Sequence, residues 1–381
     1  MRITQHVWTN QSQWSPALPT TAMAATPAAQ LLLAFGSAAL LRREDVLAEL
    51  HSAYPGSLLV GCSTAGEVAA TAVYDESLVA TAVHFDRCTV DCVDVAIEPG
   101  TDGADAARAI ARALVRPGLR HVLVLCDGLQ VNGSAFAQAL RSALPADVNA
   151  TGGLAADGDR FARTLVCCNG AGHPARAVGV GLYGDALRVG YGSMGGWDSF
   201  GPARRVTKSR GKVLLELDGE PALALYKTYL GDHSRDLPSS ALLFPLLLED
   251  PSGGAGLVRT VLAVDEAEGS LTFAGDLPEG AQARLMKANF DRLIDGASHS
   301  AQASAQRLDG AQAELAILIS CVGRKLVLRQ RVEEEIEGVR DVLPHAVLAG
   351  FYSYGELCPQ GPLGGCELHN QTMTITTLAE G

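Results

Sequence analysis

Three segments of this 381-residue chain repeat one plan. Each begins with an apolar strand, continues through an amphipathic helix and a proline, and ends in a short apolar strand with small residues after it. The segments span residues 31–68, 122–158 and 315–357. A strand, a helix and a second strand within about 30 residues form a βαβ unit, whose two strands pair in parallel. The repeat therefore restricts the fold to sheets that carry such crossovers.

The first strand of each segment is apolar without interruption, which is typical of strands buried on both faces. We predict an α/β fold of two related domains, built from βαβ units with mixed sheets and helices packed on them. A helix start at residues 218–221 marks the domain boundary. The predicted parts are an N-terminal segment (1–24), a first domain (25–217) and a second domain (218–381).

Local patterns predict further elements between the repeats. A hairpin is expected at 206–217, with its turn at 209–212, and a helix at 222–230. Residues 281–308 carry the longest helical pattern of the chain, so we expect one long helix there.

The first and third segments match in register at their ends. Each places a glycine five residues before a Gly-Glu pair: Gly61 before Gly66 and Glu67, and Gly350 before Gly355 and Glu356. Ligands usually bind at the edge of a sheet where the strand ends of βαβ units meet. We therefore predict ligand recognition at these two loops. The alternative is that the glycines serve turns that require small residues.

Amino-acid composition limits the classes of binding partner and the cellular compartment that we expect. Lysine and arginine total 30 against 42 aspartates and glutamates, a formal net charge of −12, which disfavours nucleic acid and anionic membranes as partners. No apolar run approaches the roughly 20 residues of a membrane-spanning helix, and the N-terminus lacks the pattern of a signal peptide. The nine cysteines include no CxxC pair, so we expect free thiols in a cytoplasmic protein.

Several strings resemble the FIST family. GCSTAGE (61–67) and GGLAAD (152–157) are similar to its N-terminal domain, and GFYSYGE (350–356) and LHNQT (368–372) are similar to its C-terminal domain. The resemblance implies a sensory module of signalling pathways that binds small molecules, with amino acids among the proposed ligands. It implies binding rather than catalysis.

A two-domain chain without a recognisable output domain also resembles the nitric-oxide-sensing haem proteins of that family. This implies haem b as a cofactor, nitric oxide as the signal, and a histidine kinase, diguanylate cyclase or phosphodiesterase as the partner. Haem needs an apolar slot and usually an axial imidazole. The candidate axial ligands are His84, His299 and His369, and the sequence does not choose among them.

The predicted ligand site follows from the chemistry at the strand ends. Glu67 or Glu356 would accept an ammonium group, and the guanidinium of Arg324 suits a carboxylate, so together they match an amino acid. Alternatively, Arg324 and Glu356 form a structural ion pair. Two tyrosines of the third loop share one face, which either lines the pocket or packs in the core. The predicted site residues are Cys62, Ser63, Thr64, Glu67, Arg324, Tyr352, Tyr354, Glu356 and Asn370.

An enzyme is the alternative from another functional class. Cys62 or Ser63 would act as the nucleophile of a hydrolase or transferase at a strand-to-helix turn, given a nearby base. The GxSxG pattern is not completed, because Thr64 and Ala65 follow the serine. No nucleotide-binding glycine motif follows a strand. We therefore expect a sensor rather than an enzyme.

Overall fold

The computed structural model describes residues 1–9, 13–19, 29–249, 256–360 and 365–381. Its α-helices are α1 (Glu44–Ala53), α2 (Ala104–Leu114), α3 (Gly133–Ala143), α4 (Ala222–Leu230), α5 (Phe290–Gln306), α6 (Val322–Leu328) and α7 (Val332–Val342). Its strands are β1 (Arg2–Trp8), β2 (Trp14–Ser15), β3 (Leu31–Gly36), β4 (Leu58–Ser63), β5 (Glu67–Ala69), β6 (Ala72–Tyr74), β7 (Leu78–His84), β8 (Thr89–Ala96), β9 (Leu119–Cys126), β10 (Asn149–Leu154), β11 (Val166–Cys168), β12 (Arg176–Tyr183), β13 (Leu187–Met194), β14 (Asp198–Arg210), β15 (Val213–Leu217), β16 (Glu220–Pro221), β17 (Leu246–Leu248), β18 (Leu257–Arg259), β19 (Val261–Asp265), β20 (Ser270–Phe273), β21 (Gln282–Lys287), β22 (Leu315–Cys321), β23 (Val347–Ser353), β24 (Gly355–Pro359), β25 (Cys366–His369) and β26 (Met373–Glu380).

The three sequence repeats fold as three βαβ units. The parallel pairs are β3 with β4, β9 with β10, and β22 with β23, and each crossover contains helix. The first strand of every unit also has an antiparallel neighbour, which is β7, β12 and β26 respectively. The predicted α/β class with mixed sheets is confirmed.

The three sheets are interlocked, because the strand that follows each βαβ unit in the chain pairs with a strand of a different sheet. After β4 the chain forms β5, which pairs with β23. After β10 it forms β11, which pairs with β4, and after β23 it forms β24, which pairs with β10. This strand exchange therefore forms a closed cycle. Each of the three sheets contains one strand that follows the βαβ unit of another sheet.

The loops that follow β4, β10 and β23 meet one another through backbone hydrogen bonds. The N–H groups of Ala65, Tyr354 and Ala156 donate to the carbonyls of Tyr352 (2.8 Å), Leu154 (3.2 Å) and Ser63 (2.8 Å). We call residues 63–67, 154–158 and 352–356 the loop ring. Each of its three segments donates one of these bonds and accepts one.

A fourth sheet of eight strands, β14–β21, lies between the second and third units in the chain. It encloses a core of its own with α4, which includes Val206, Tyr226 and Phe273. The predicted hairpin and the helix at 222–230 are confirmed.

The single long helix expected at 281–308 is wrong in its first part. Residues 282–287 form β21, which pairs with β14 and β17 and buries Ala283 and Leu285 on its inner face. Helix α5 begins only after Asn289, whose side chain accepts a hydrogen bond from the Arg292 N–H. Tertiary pairing thus overrides the helical propensity of alanine and leucine at β21.

The predicted division at residues 217 and 218 stays a prediction, but the sheets cross it. Strands β5, β6 and β13 complete the sheet that contains β22, β23 and β26. The boundary between residues 24 and 25 lies outside the described residues, and β1 pairs with β7 in the first sheet. No helix among the described residues is long and apolar enough to cross a membrane.

Candidate functional site

Glu67 of the loop ring is held by two hydroxyl groups. Thr64 donates to Oε1 of Glu67, and Ser77 donates to Oε2 at 2.6 Å. Thr64 lies three residues before the glutamate, and Ser77 immediately precedes β7. The carboxyl group is thereby tied to its own loop and to the next strand of the chain.

Glu356 has the same surroundings in the third loop. Ser353, three residues earlier, donates to Oε1 at 2.7 Å. Thr372, which immediately precedes β26, donates to Oε2 through its hydroxyl at 2.9 Å. The Gly-Glu repeat of the sequence is therefore a structural repeat, with hydroxyl donors at equivalent positions around Glu67 and Glu356.

Both carboxyl groups are closed off from solvent. Glu67 is 1% exposed and Glu356 is 0% exposed. Burial raises the pKa of Glu67 to about 7 and that of Glu356 to about 8, although the hydroxyl donors act in the opposite direction. Two described cavities, of about 370 and 420 Å³, are lined by other residues. Ligand contact at these carboxyls stays a prediction.

Arg324 is a buried structural cation. Its Nη2 and Nε atoms donate to Oε2 of Glu335 at 2.7 and 3.1 Å, and both side chains are 0% exposed. Its remaining donors bind the carbonyls of Gly195 and Leu293. The alternative that Arg324 pairs with Glu356 is wrong. The Glu335 carboxylate of α7 occupies the guanidinium group that was predicted to bind a ligand carboxylate. Arg324 therefore connects α6 to α7.

The two tyrosines of the third loop both point inward. Tyr352 is fully buried and donates to Oε1 of Glu335 at 2.7 Å. Tyr354 is 7% exposed, donates to Asp157 of the second loop, and stacks on Phe161 with 4.4 Å between ring centroids. Tyr352 therefore belongs to the buried Arg324 cluster, whereas Tyr354 links two loops of the ring.

The residues of the enzyme alternative are not activated. Cys62 is fully buried, and burial raises the pKa of its thiol well above the ordinary value. The hydroxyl of Ser63 accepts a hydrogen bond from the Leu165 N–H at 2.8 Å, and the Thr64 hydroxyl donates to Glu67. Activation of a nucleophile requires a lowered pKa or an adjacent base. Among the described residues, no base accepts a hydrogen bond from Cys62 or Ser63.

Asn370 carries the strongest local signal for a ligand. It lies between β25 and β26 and is 0% exposed, yet neither Oδ1 nor Nδ2 has a hydrogen-bond partner among the described residues. A buried polar group without a partner costs about 1–3 kcal/mol. A side chain with an unused donor and an unused acceptor in the interior is thus suited to a polar ligand.

Arg259 of β18 is a buried cation that the sequence pattern did not indicate as a candidate site residue. Its Nη1 donates to the Leu368 carbonyl at 2.9 Å and its Nε to the Asp276 carbonyl at 3.2 Å. It is 3% exposed and has a pKa lowered by burial to about 10. A lone arginine inside the apolar run 257–264 was the available signal.

The three alternative axial ligands for a haem lie in different surroundings. His299 is exposed on α5. The Nε2 atom of His84 lies 3.4 Å from Oδ1 of Asp86. His369 is buried, with Nε2 at 3.1 Å from the Cys358 carbonyl and a pKa lowered by burial to about 4. None of them lines either described cavity. Haem binding at one of these histidines stays a prediction of the family resemblance.

Comparison with known proteins identifies the family. The FIST N domain model matches residues 30–220, and the FIST C domain model matches residues 222–359. No curated protein matches the sequence. A solved structure of a cyanuric acid hydrolase from A. caulinodans is similar at 9% identity, over 99% of this chain and 98% of that chain, with a TM-score of 0.37. This chain belongs to the FIST family, whose domains are sensory, ligand-binding domains of signal transduction.

Proposed function

We propose that this protein senses a small molecule with a carboxylate group, such as an amino acid, at the turn formed by residues 368–372. The carrying observation is Asn370, whose amide is fully buried without a partner among the described residues. The ligand would supply the missing donor and acceptor, which removes the cost of two unsatisfied groups.

The same turn connects Asn370 to a cation and to an acid. Arg259 donates to the carbonyl of Leu368, two residues before the asparagine. Thr372, two residues after it, donates to Glu356. A guanidinium group binds a carboxylate through paired hydrogen bonds, and a carboxylate accepts from an ammonium group. The turn therefore lies next to a guanidinium group that suits a ligand carboxylate, with Arg259 in the role first assigned to Arg324. Burial raises the pKa of the Glu356 carboxyl group to about 8, so this group offers a charge to an ammonium group only once it has lost its proton.

Ligand binding at this turn would reach the sheet directly. The turn leads into β26, which pairs with β22, and the indole of Trp197 donates to the Gln371 carbonyl at 2.8 Å. A ligand that prefers one arrangement of the turn shifts the population of that arrangement in proportion to its differential affinity. A separate kinase or cyclic-dinucleotide enzyme would then recognise the altered surface.

A thermal-shift series with amino acids and small carboxylic acids tests the proposal on the full chain. A ligand at 100 times its Kd adds about 2.7 kcal/mol to the free energy of unfolding, which raises Tm. We expect Asn370→Leu and Arg259→Met to abolish the shift. Arg284→Met is the matched control, because Arg284 pairs with Glu249 on the surface of the same sheet. A folded Asn370→Leu protein with an unchanged shift would contradict the proposal.

Haem with nitric oxide as the signal stays a prediction of the family resemblance, without support from the described histidines. Haem titration of the purified protein tests it. A Soret band that disappears in one of His84→Ala, His299→Ala or His369→Ala would support it, and its absence in the unaltered chain would exclude it.

A further inference from the structure

Two cysteines from different sheets lie side by side. Cys92 is in β8, at the edge of the sheet that contains β9 and β10, and Cys168 ends β11, at the edge of the sheet that contains β3 and β4. Their sulfur atoms are 3.4 Å apart, although 76 positions separate them in the chain. A disulfide bond is about 2.0 Å long, so the sulfurs would need to approach by about 1.4 Å.

Accessibility singles out the same two thiols. All nine cysteines of the chain are free, and seven of them are buried. The two that are partly exposed are Cys92 and Cys168. A dissolved oxidant therefore reaches two thiols first, and these two are in contact with each other.

The local electrostatics give the two sulfurs different roles. The two thiols share a hydrogen bond in which either sulfur can be the donor. Contact with Cys168 lowers the pKa of the Cys92 thiol, and contact with Cys92 raises that of the Cys168 thiol. The thiolate is the nucleophilic form of cysteine. Cys92 is thus the sulfur suited to attack an oxidant, and Cys168 is the sulfur placed to react with the product.

We propose that Cys92 and Cys168 form a reversible disulfide when a peroxide oxidises the protein. The Cys92 thiolate attacks the O–O bond, which forms a sulfenic acid and releases water after protonation. The Cys168 thiolate then attacks the oxidised sulfur, forms the S–S bond and releases a second water. Overall, two thiols and one hydrogen peroxide give one disulfide and two waters. A dithiol reductant reverses the reaction.

The disulfide bond would connect a partly exposed pair of thiols to a strand that contacts the loop ring. Cys168 belongs to β11, which pairs with β4, the strand that leads into the first loop. Just before β11, the Leu165 N–H donates to the hydroxyl of Ser63. A disulfide at the far end of β11 would fix this strand between two sheets, so the oxidation state would act on a segment next to the ring.

Peptide mapping of the full chain tests the proposal. After peroxide treatment and denaturation, we expect seven of the nine thiols to react with a chromogenic thiol reagent, and all nine after dithiothreitol. Tryptic peptides 88–108 and 164–176 should then be joined, with a mass two hydrogens below their sum. Each peptide contains a second cysteine, so Cys88→Ser is the matched control and should retain the link.

Single substitutions separate the two roles. Cys92→Ser should abolish the link, and Cys168→Ser should leave a sulfenic acid at Cys92 that a cyclic diketone traps. The wild-type map does not depend on how these variants fold. Unlinked peptides with sulfinic acid at Cys92, or a link between two chains instead of within one, would overturn the proposal.

Discussion

At the scale of single residues, Glu67 and Glu356 show how burial changes the acid–base properties of this chain. The pKa of Glu356 is about 8 in the folded chain against an ordinary value of 4.5. Between these values the folded chain holds a proton that the unfolded chain has lost. The free energy of unfolding therefore falls as pH rises through this interval, by at most about 1.4 kcal/mol per pH unit for one group.

Glu356→Gln should remove this contribution. The amide stays neutral in both states, so we expect the free energy of unfolding to depend less steeply on pH between 4.5 and 8 than in the unaltered chain. Urea denaturation at a series of pH values measures the slope. Glu266→Gln, at an exposed pair with Lys227, is the control that should leave it unchanged. Equal slopes for Glu356→Gln and the unaltered chain would contradict the assigned pKa.

At the scale of elements, the sequence was informative where contacts are local. The βαβ units, α4 and the β14–β15 hairpin follow from periodicity and turn chemistry within short windows. The pairing of the exchanged strands β5, β11 and β24 could not be predicted, because their partners lie far away in the chain. Strand β21 was mistaken for helix, since its alanine and leucine favour helix and only its neighbours make it a strand.

The candidate site was also predictable only where its residues lie close together in the sequence. The Gly-Glu repeat marked equivalent loop positions, because it can be read in register. The partner of Arg324 could not be found from spacing, since Glu335 lies on a different helix. Arg259 was passed over because the contact with Leu368 brings together two distant segments.

The crossover helices α6 and α7 should depend on the Arg324–Glu335 pair. Removing one partner of a buried ion pair leaves an uncompensated charge and costs about 3–5 kcal/mol. We expect this loss for Glu335→Ala in denaturant unfolding. The matched control is Glu334→Ala, which removes the exposed partner of Arg331 on the same helix and should have a much smaller effect. Similar losses for both variants would show that the buried pair is not what stabilises the crossover.

At the scale of the whole molecule, the strand exchange should make the two halves interdependent. If the chain is divided between residues 217 and 218, the C-terminal part lacks β5, β6 and β13, which complete its sheet. The N-terminal part lacks β24, which pairs with β10. We expect neither part to unfold cooperatively alone, and the two to form one complex when produced together. Calorimetry of each part measures this, and a cooperative transition in an isolated part would contradict it.

The loop ring also sets how the molecule can respond to a stimulus. Every one of its three segments is both a donor and an acceptor, so displacing a single segment breaks at least two backbone hydrogen bonds at once. An intermediate in which one segment has moved leaves buried backbone groups without partners, which is unfavourable. The response is therefore expected to be all-or-none rather than graded, with the three segments changing together.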